Sequence, residues 1–143
     1  MTQRQIELIQ NTWDYVTTNI AEAGDIFYGR LFEKNPEIRS MFTGDIKQQS
    51  RKLVAIITFA VKKLDSLGDV IADVQALGKR HDKYGVNPSH YPVVADSLLW
   101  TLEKGLGERW NDEVKEAWVT LYTTLSGIMI GASKHNRKSE PVL

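Results

Sequence analysis

The chain has 143 residues, enough for one domain that buries a continuous core without metal or disulfide support. Lys plus Arg and Asp plus Glu each number 18, so the formal charge is zero and there is no electrostatic footprint for nucleic acid or an anionic membrane. The absence of cysteine excludes disulfides and thiolate metal sites; with a polar N-terminus and no apolar stretch approaching a membrane span, a cytoplasmic location is expected.

Thr2 and Gln5 have the spacing of a capping box, and Ile6, Ile9, Trp13 and Val16 repeat at helical period, which predicts a first helix from about Gln3 that fades in Val16-Thr17-Thr18-Asn19. A second helix carries Ile20, Ala23, Phe27 and Leu31 on one side, with Tyr28 toward the same buried side. Its Ala23-Gly24 pair is small enough to let another helix cross closely. Asn35-Pro36-Glu37 starts a short third helix that ends at Met41-Phe42 and is broken by Thr43-Gly44-Asp45. The fourth carries Leu53, Ile56, Ile57, Ala60, Val61 and Leu64, with Gln49 one turn before Leu53. An amide at that place is either a first-turn polar residue meeting water or a functional donor.

Ser66-Leu67-Gly68-Asp69 punctuates before a fifth helix, on which Val70, Val74, Leu77 and His81 share one inward face while Asp69, Asp73, Lys79, Asp82 and Lys83 face solvent. A titratable ring that closes an apolar stripe is either a core histidine satisfied by a carbonyl or a metal ligand. Gly85-Val86-Asn87-Pro88-Ser89 turns the chain into a sixth helix starting near Pro88 to His90, with Tyr91, Val94, Ala95, Leu98 and Leu102 on its stripe. Gly105 and Gly107 end it. Asn111 caps the last helix, whose buried face is Val114, Ala117, Trp118, Leu121, Tyr122, Leu125, Ile128, Met129 and Ala132. No segment alternates with period two, and there is no internal repeat. The expected fold is all-α, with about seven helices of unequal length, joined by tight corners that suit oblique packing.

Several segments together resemble the globin family, specifically bacterial single-domain haemoglobins and the globin domain of flavohaemoglobins. They are Phe27-Tyr28-Gly29-Arg30-Leu31-Phe32, Asn35-Pro36-Glu37-Ile38-Arg39, Met41-Phe42, Gln49 with Leu53, Arg80-His81 and His90-Tyr91-Pro92-Val93-Val94. The likeness spans residues 1–133, leaving 134–143 as a polar tail expected to fray. It implies the globin fold around haem b, with His81 as the proximal iron ligand, Phe42 wedged against the porphyrin, and Tyr28, Gln49 and Leu53 lining the distal pocket. The Leu77 carbonyl is the expected partner of the second ring nitrogen of His81, because a ligating histidine normally gives that N–H to an acceptor. Tyr91 is expected beside the same histidine. The family's proximal glutamate is replaced here by Ser133, which weakens the expected electron push onto iron. Lys52 either reaches a haem propionate or snorkels over the surface. His90 and His135 are not expected to be second ligands.

The implied function is reversible binding of dioxygen and other diatomic ligands, nitric oxide and carbon monoxide among them, for storage, transport or nitric oxide detoxification. Phenol and amide donors in a dry pocket favour dioxygen over carbon monoxide, which polarises less. Two other classes stay open: a nitric oxide dioxygenase or nitrite-handling enzyme fed by a separate reductase, since the flavin and nicotinamide domains of flavohaemoglobins have no counterpart in these residues, and a haem-free globin-fold sensor or interaction module.

Overall fold

Thr2 starts the first helix, α1 (Gln3–Val16), by the reciprocal pair its spacing with Gln5 predicts: its hydroxyl accepts from the Gln5 N–H at 3.1 Å, and the Gln5 side chain accepts from the Thr2 N–H at 3.1 Å. The structure is a computed structural model that describes residues 1–42, 44–86 and 88–132. A 3₁₀ turn, Thr17–Asn19, leads into α2 (Ile20–Lys34), where Asn19 caps the Glu22 N–H. Pro36–Met41 is a 3₁₀ stretch and not an α-helix, and it delivers Phe42 in an extended conformation. Next come α3 (Ile46–Lys62), the 3₁₀ stretch Leu64–Val70 with a kink at Ser66, α4 (Ile71–Lys83), α5 (His90–Leu106) and α6 (Asp112–Gly131). The described residues contain no strand. Six α-helices and the Pro36–Met41 turn make up the seven expected helical segments. No described helix is long and apolar enough to cross a membrane.

Pro92 sits comfortably as the third residue of α5, because the first four N–H groups of a helix have no intrahelical acceptor to lose. Gly107, with φ +55, supplies the left-handed turn that ends that helix. Asn111 accepts from the Val114 N–H at 2.9 Å and starts α6.

The principal core joins α1, α2, α3, α5 and α6 through Ile9, Trp13, Phe27, Leu31, Val54, Val61, Leu102, Ala117, Trp118 and Leu121. Its buried polar atoms are paired: the Trp118 indole donates to Thr12 Oγ1 at 3.0 Å, and that hydroxyl donates onward to the Leu8 carbonyl at 2.6 Å. A second, smaller cluster of Val70, Val74 and Met129 holds α4 to the end of α6, with Leu67, Leu77, Tyr91 and Ile128 partly buried around it. Thus α4 packs against α6 and its own leading 3₁₀ stretch, but has no comparable packing against α2, α3 or α5. Three stripe positions differ from expectation, one of them Ile20, which is 44% exposed at the start of α2. Val54, between the predicted stripe residues, is the buried one, while Ile56 is 42% exposed on the side that Leu53 also faces.

Candidate functional site

The site begins with a close crossing. A Cβ on Gly24 would lie 2.6 Å from the Ser50 Cβ, so glycine lets α2 and α3 approach to a distance that alanine would forbid. Tyr28 is one turn beyond Gly24, and Gln49 immediately precedes Ser50. The crossing therefore brings phenol and amide close enough for Gln49 to act on the phenol's titration. Tyr28 is only 4% exposed. Burial pushes its phenol up to about 12, opposed by the Gln49 side chain, so the phenol is a neutral donor throughout the physiological range.

Aromatic rings fix the phenol from the other side. The Tyr28 ring meets Phe27 edge-on at 4.9 Å and Phe42 edge-on at 5.5 Å, and Phe32 at 5.7 Å closes the group. Phe42 is anchored through its backbone, since Arg39 donates to the Phe42 carbonyl at 2.7 Å while its guanidinium lies over the Phe32 ring. Phe42 and Leu53 are only partly buried against the principal core. Lys52 is exposed on α3.

On α4, the His81 Nδ1 lies 2.9 Å from the Leu77 carbonyl oxygen. A carbonyl only accepts, so Nδ1 carries the proton in this bond and the neutral ring leaves its lone pair on Nε2. Burial lowers the His81 pKa, the Leu77 carbonyl partly opposes that, and the neighbouring Arg80 charge lowers it further. The ring is therefore neutral near pH 7, the form that binds metals. The carbonyl bond is compatible with a core histidine and with a metal ligand alike. The ring is half-buried, with Tyr84 tilted against it at a centroid distance of 6.3 Å.

Tyr91, at the start of α5, packs with Leu77 around the Val70, Val74 and Met129 cluster. Burial and the nearby Asp82 charge raise its phenol pKa. Asp82 is half-buried and not on a solvated face as its spacing suggested, because the turn after α4 folds back beside it. The Tyr122 hydroxyl donates to the Tyr91 carbonyl at 2.7 Å and so pins α5 to α6 next to this cluster. Ser133 lies outside the described residues.

Two faces emerge: Tyr28, Phe42, Gln49 and Leu53 on the α2–α3 side, and Leu77 and His81 on α4. The partly buried apolar side chains on both faces, and the lack of close α3–α4 packing, suit a flat apolar group gripped between the helices with a nitrogen ligand offered from one side. None of these residues lines either the groove of about 440 Å³ beside Ile20, Arg51 and Phe59 or the 120 Å³ pocket between α5 and α6.

A model of the family described as Globin matches residues 25–129, which include every one of these positions. The chain belongs to the globin family. As a globin it is a haem-binding protein, and the donor set fits haem: a neutral imidazole for iron and aromatic and aliphatic side chains for the porphyrin. This globin is 27% identical to a neuroglobin of Tetraodon nigroviridis, with 90% of each chain covered. It is 29% identical to a flavohemoprotein of Bacillus subtilis over 92% of its own length but only 34% of that protein. In structure it resembles a bacterial globin of Campylobacter jejuni, with a TM-score of 0.79 at 23% identity, covering 96% of this globin and 97% of the other.

Of the residues singled out from sequence, the structure brings Tyr28, Phe42 and Gln49 together and ties His81 to Leu77. It places Tyr91 beside Leu77 and leaves Lys52 exposed. Phe27, as a ring against Tyr28, and Gly78, directly before the basic stretch of α4, had no assigned part in the site. Phe27 was readable only as core, and a helical glycine gives no sign of what it faces.

Proposed function

We propose that this globin binds haem b through His81 Nε2 and holds dioxygen reversibly with the Tyr28 phenol and the Gln49 amide. The carrying observation is the globin match over residues 25–129, which takes in His81, a ring whose Nδ1 is held by the Leu77 carbonyl so that its lone pair stays on Nε2. Haem, when bound, would supply an iron that takes up diatomic gases, so nitric oxide and carbon monoxide would compete with dioxygen.

The chain's residues set the selectivity. Tyr28 donates, Gln49 orients the phenol or donates beside it, and Phe42 and Leu53 exclude water, which strengthens both hydrogen bonds. Polar ligands gain most from this arrangement. Phe42 and Leu77 would hold the porphyrin, Tyr91 would support the His81 ring through Leu77, and Lys52 would pair with a propionate from the surface. Turnover with nitric oxide would draw electrons from a separate reductase.

The test is the absorption spectrum of the purified ferrous protein, with and without His81→Ala. A Soret band near one haem per chain, with a five-coordinate histidine signature that the substitution abolishes, is expected. An unchanged histidine signature in the variant refutes the ligand assignment.

A further inference from the structure

The helix that carries His81 is held mainly by one crossing. Gly78 lies against the backbone of α6, where a Cβ would fall 2.6 Å from the Met129 Cα and 2.8 Å from its carbonyl carbon, with the carbonyl oxygen nearer still. Both sides of the contact are main chain, so no rotamer change can relieve it. The Met129 carbonyl is in the last turn of α6 and accepts a hydrogen bond from the Ala132 N–H at 3.2 Å. The carbonyl oxygen lies where the missing Cβ would be, so a glycine Cα–H faces it, a contact that recurs where helices cross closely. Among the described residues, α4 otherwise packs on its own leading 3₁₀ stretch and meets the start of α5 at Tyr91.

We infer that Gly78 is a positioning residue for the iron ligand: by letting α4 sit directly on the α6 backbone, it sets how far His81 Nε2 reaches toward the haem. This rests on His81 as the ligand. Gly78 precedes His81 by three residues, so the two directions differ by about 60° around the helix axis. It also adjoins Leu77, whose carbonyl aims the ring. Ordinary carbon contacts need about 3.5 Å, so a methyl at Gly78 drives α4 back from Met129 by about 1 Å. That displacement points about 120° away from the direction of His81 and retracts the ligand by about half its size.

The test compares the iron–histidine stretching band of the ferrous, ligand-free holoprotein, and the rate of haem transfer to an acceptor protein, in wild type, Gly78→Ala and Gly127→Ala. Gly127 is the control because a Cβ there meets no atom within 4 Å. Each variant is also made in a His81→Gly background with imidazole added, where the ligand is no longer tethered to α4. Gly78→Ala should lower the band and speed haem loss about tenfold, the change expected for 1.4 kcal/mol. Gly127→Ala should do neither, and the Gly78→Ala band shift should vanish when free imidazole replaces His81.

An unchanged band in Gly78→Ala, or an equal shift with free imidazole, overturns the inference. Persistence of the wild-type band in His81→Gly without imidazole would instead overturn the ligand assignment beneath it. Should Gly78→Ala not fold, the crystal structure of the wild-type holoprotein decides: a methyl-sized gap between Gly78 and Met129 overturns the inference, and direct main-chain contact supports it.

Discussion

Replacing Tyr28 with Phe deletes one oxygen and little else. The ring keeps its edge-on contacts with Phe27 and Phe42, so packing changes little and no cavity opens. What is lost is a buried neutral donor. A hydrogen bond to a group bearing partial charge is worth about 1.5–3 kcal/mol, and each 1.4 kcal/mol is a factor of ten, so dioxygen should leave about 10–100-fold faster. Carbon monoxide, less polarised, should respond by a few-fold at most. Gln49 complicates this in an informative way, because its amide lies close enough to the phenol to act on its titration and loses that neighbour when the hydroxyl goes. It can then turn to the ligand and recover part of the loss. The Tyr28→Phe and Gln49→Leu effects should therefore be non-additive when combined, as expected for groups in one network. Stopped-flow release of both gases from the two single variants and the double variant provides the measurement. Equal acceleration of dioxygen and carbon monoxide would show that access and not donation is controlled here, and strict additivity would show that the two side chains do not act as a pair.

Three further outcomes follow from the geometry. Thr12→Val leaves the buried Trp118 indole N–H without its acceptor and should lower stability by about 1–3 kcal/mol in urea unfolding; a neutral result would mean that another acceptor takes over. Gly24→Ala should cost about 1–3 kcal/mol by overpacking the α2–α3 crossing, and Ser50→Gly should restore most of it because the clash there is with a side chain. Burial raises the Tyr28 phenol pKa to about 12 from 10, so between those values the unfolded chain has lost a proton that the folded chain keeps. Stability is then fully present below pH 10 and falls as pH rises toward 12; Tyr28→Phe should make that fall shallower, and an identical slope would place the Tyr28 titration near its ordinary value.

Helix boundaries were legible wherever a side chain did the capping: Thr2 with Gln5, Asn19 and Asn111 each perform the task their position suggests. The inward faces followed from period for α1 and α6. They were less reliable for α3, because a helix with apolar residues around more than half its circumference fits two orientations; the Gly24–Ser50 crossing selects the one that buries Val54 and leaves Ile56 exposed. His81 could be singled out by its stripe, and its link to Leu77 follows from one helical turn. The Tyr28–Gln49 contact joins residues of two helices and depends on how closely those helices cross, which spacing along either helix does not encode. Asp82 was misplaced for a related reason: the turn that folds back after α4 covers it.

The thin attachment of α4 has a thermodynamic consequence. A helix tied mainly by one crossing and a small apolar cluster should open at lower free-energy cost than the core it leans on, so α4 is expected to behave as a separate cooperative unit in the haem-free chain. Only the closed fraction of that population binds the cofactor tightly, and apparent haem affinity is scaled down by this fraction. Haem in turn adds stability that grows with the logarithm of the free haem concentration relative to its dissociation constant. Amide hydrogens of α4 should exchange faster than those of α1 and α6 before loading and, with His81 as the proposed ligand, slow sharply afterwards, so that the cofactor would act as the missing packing partner of its own helix.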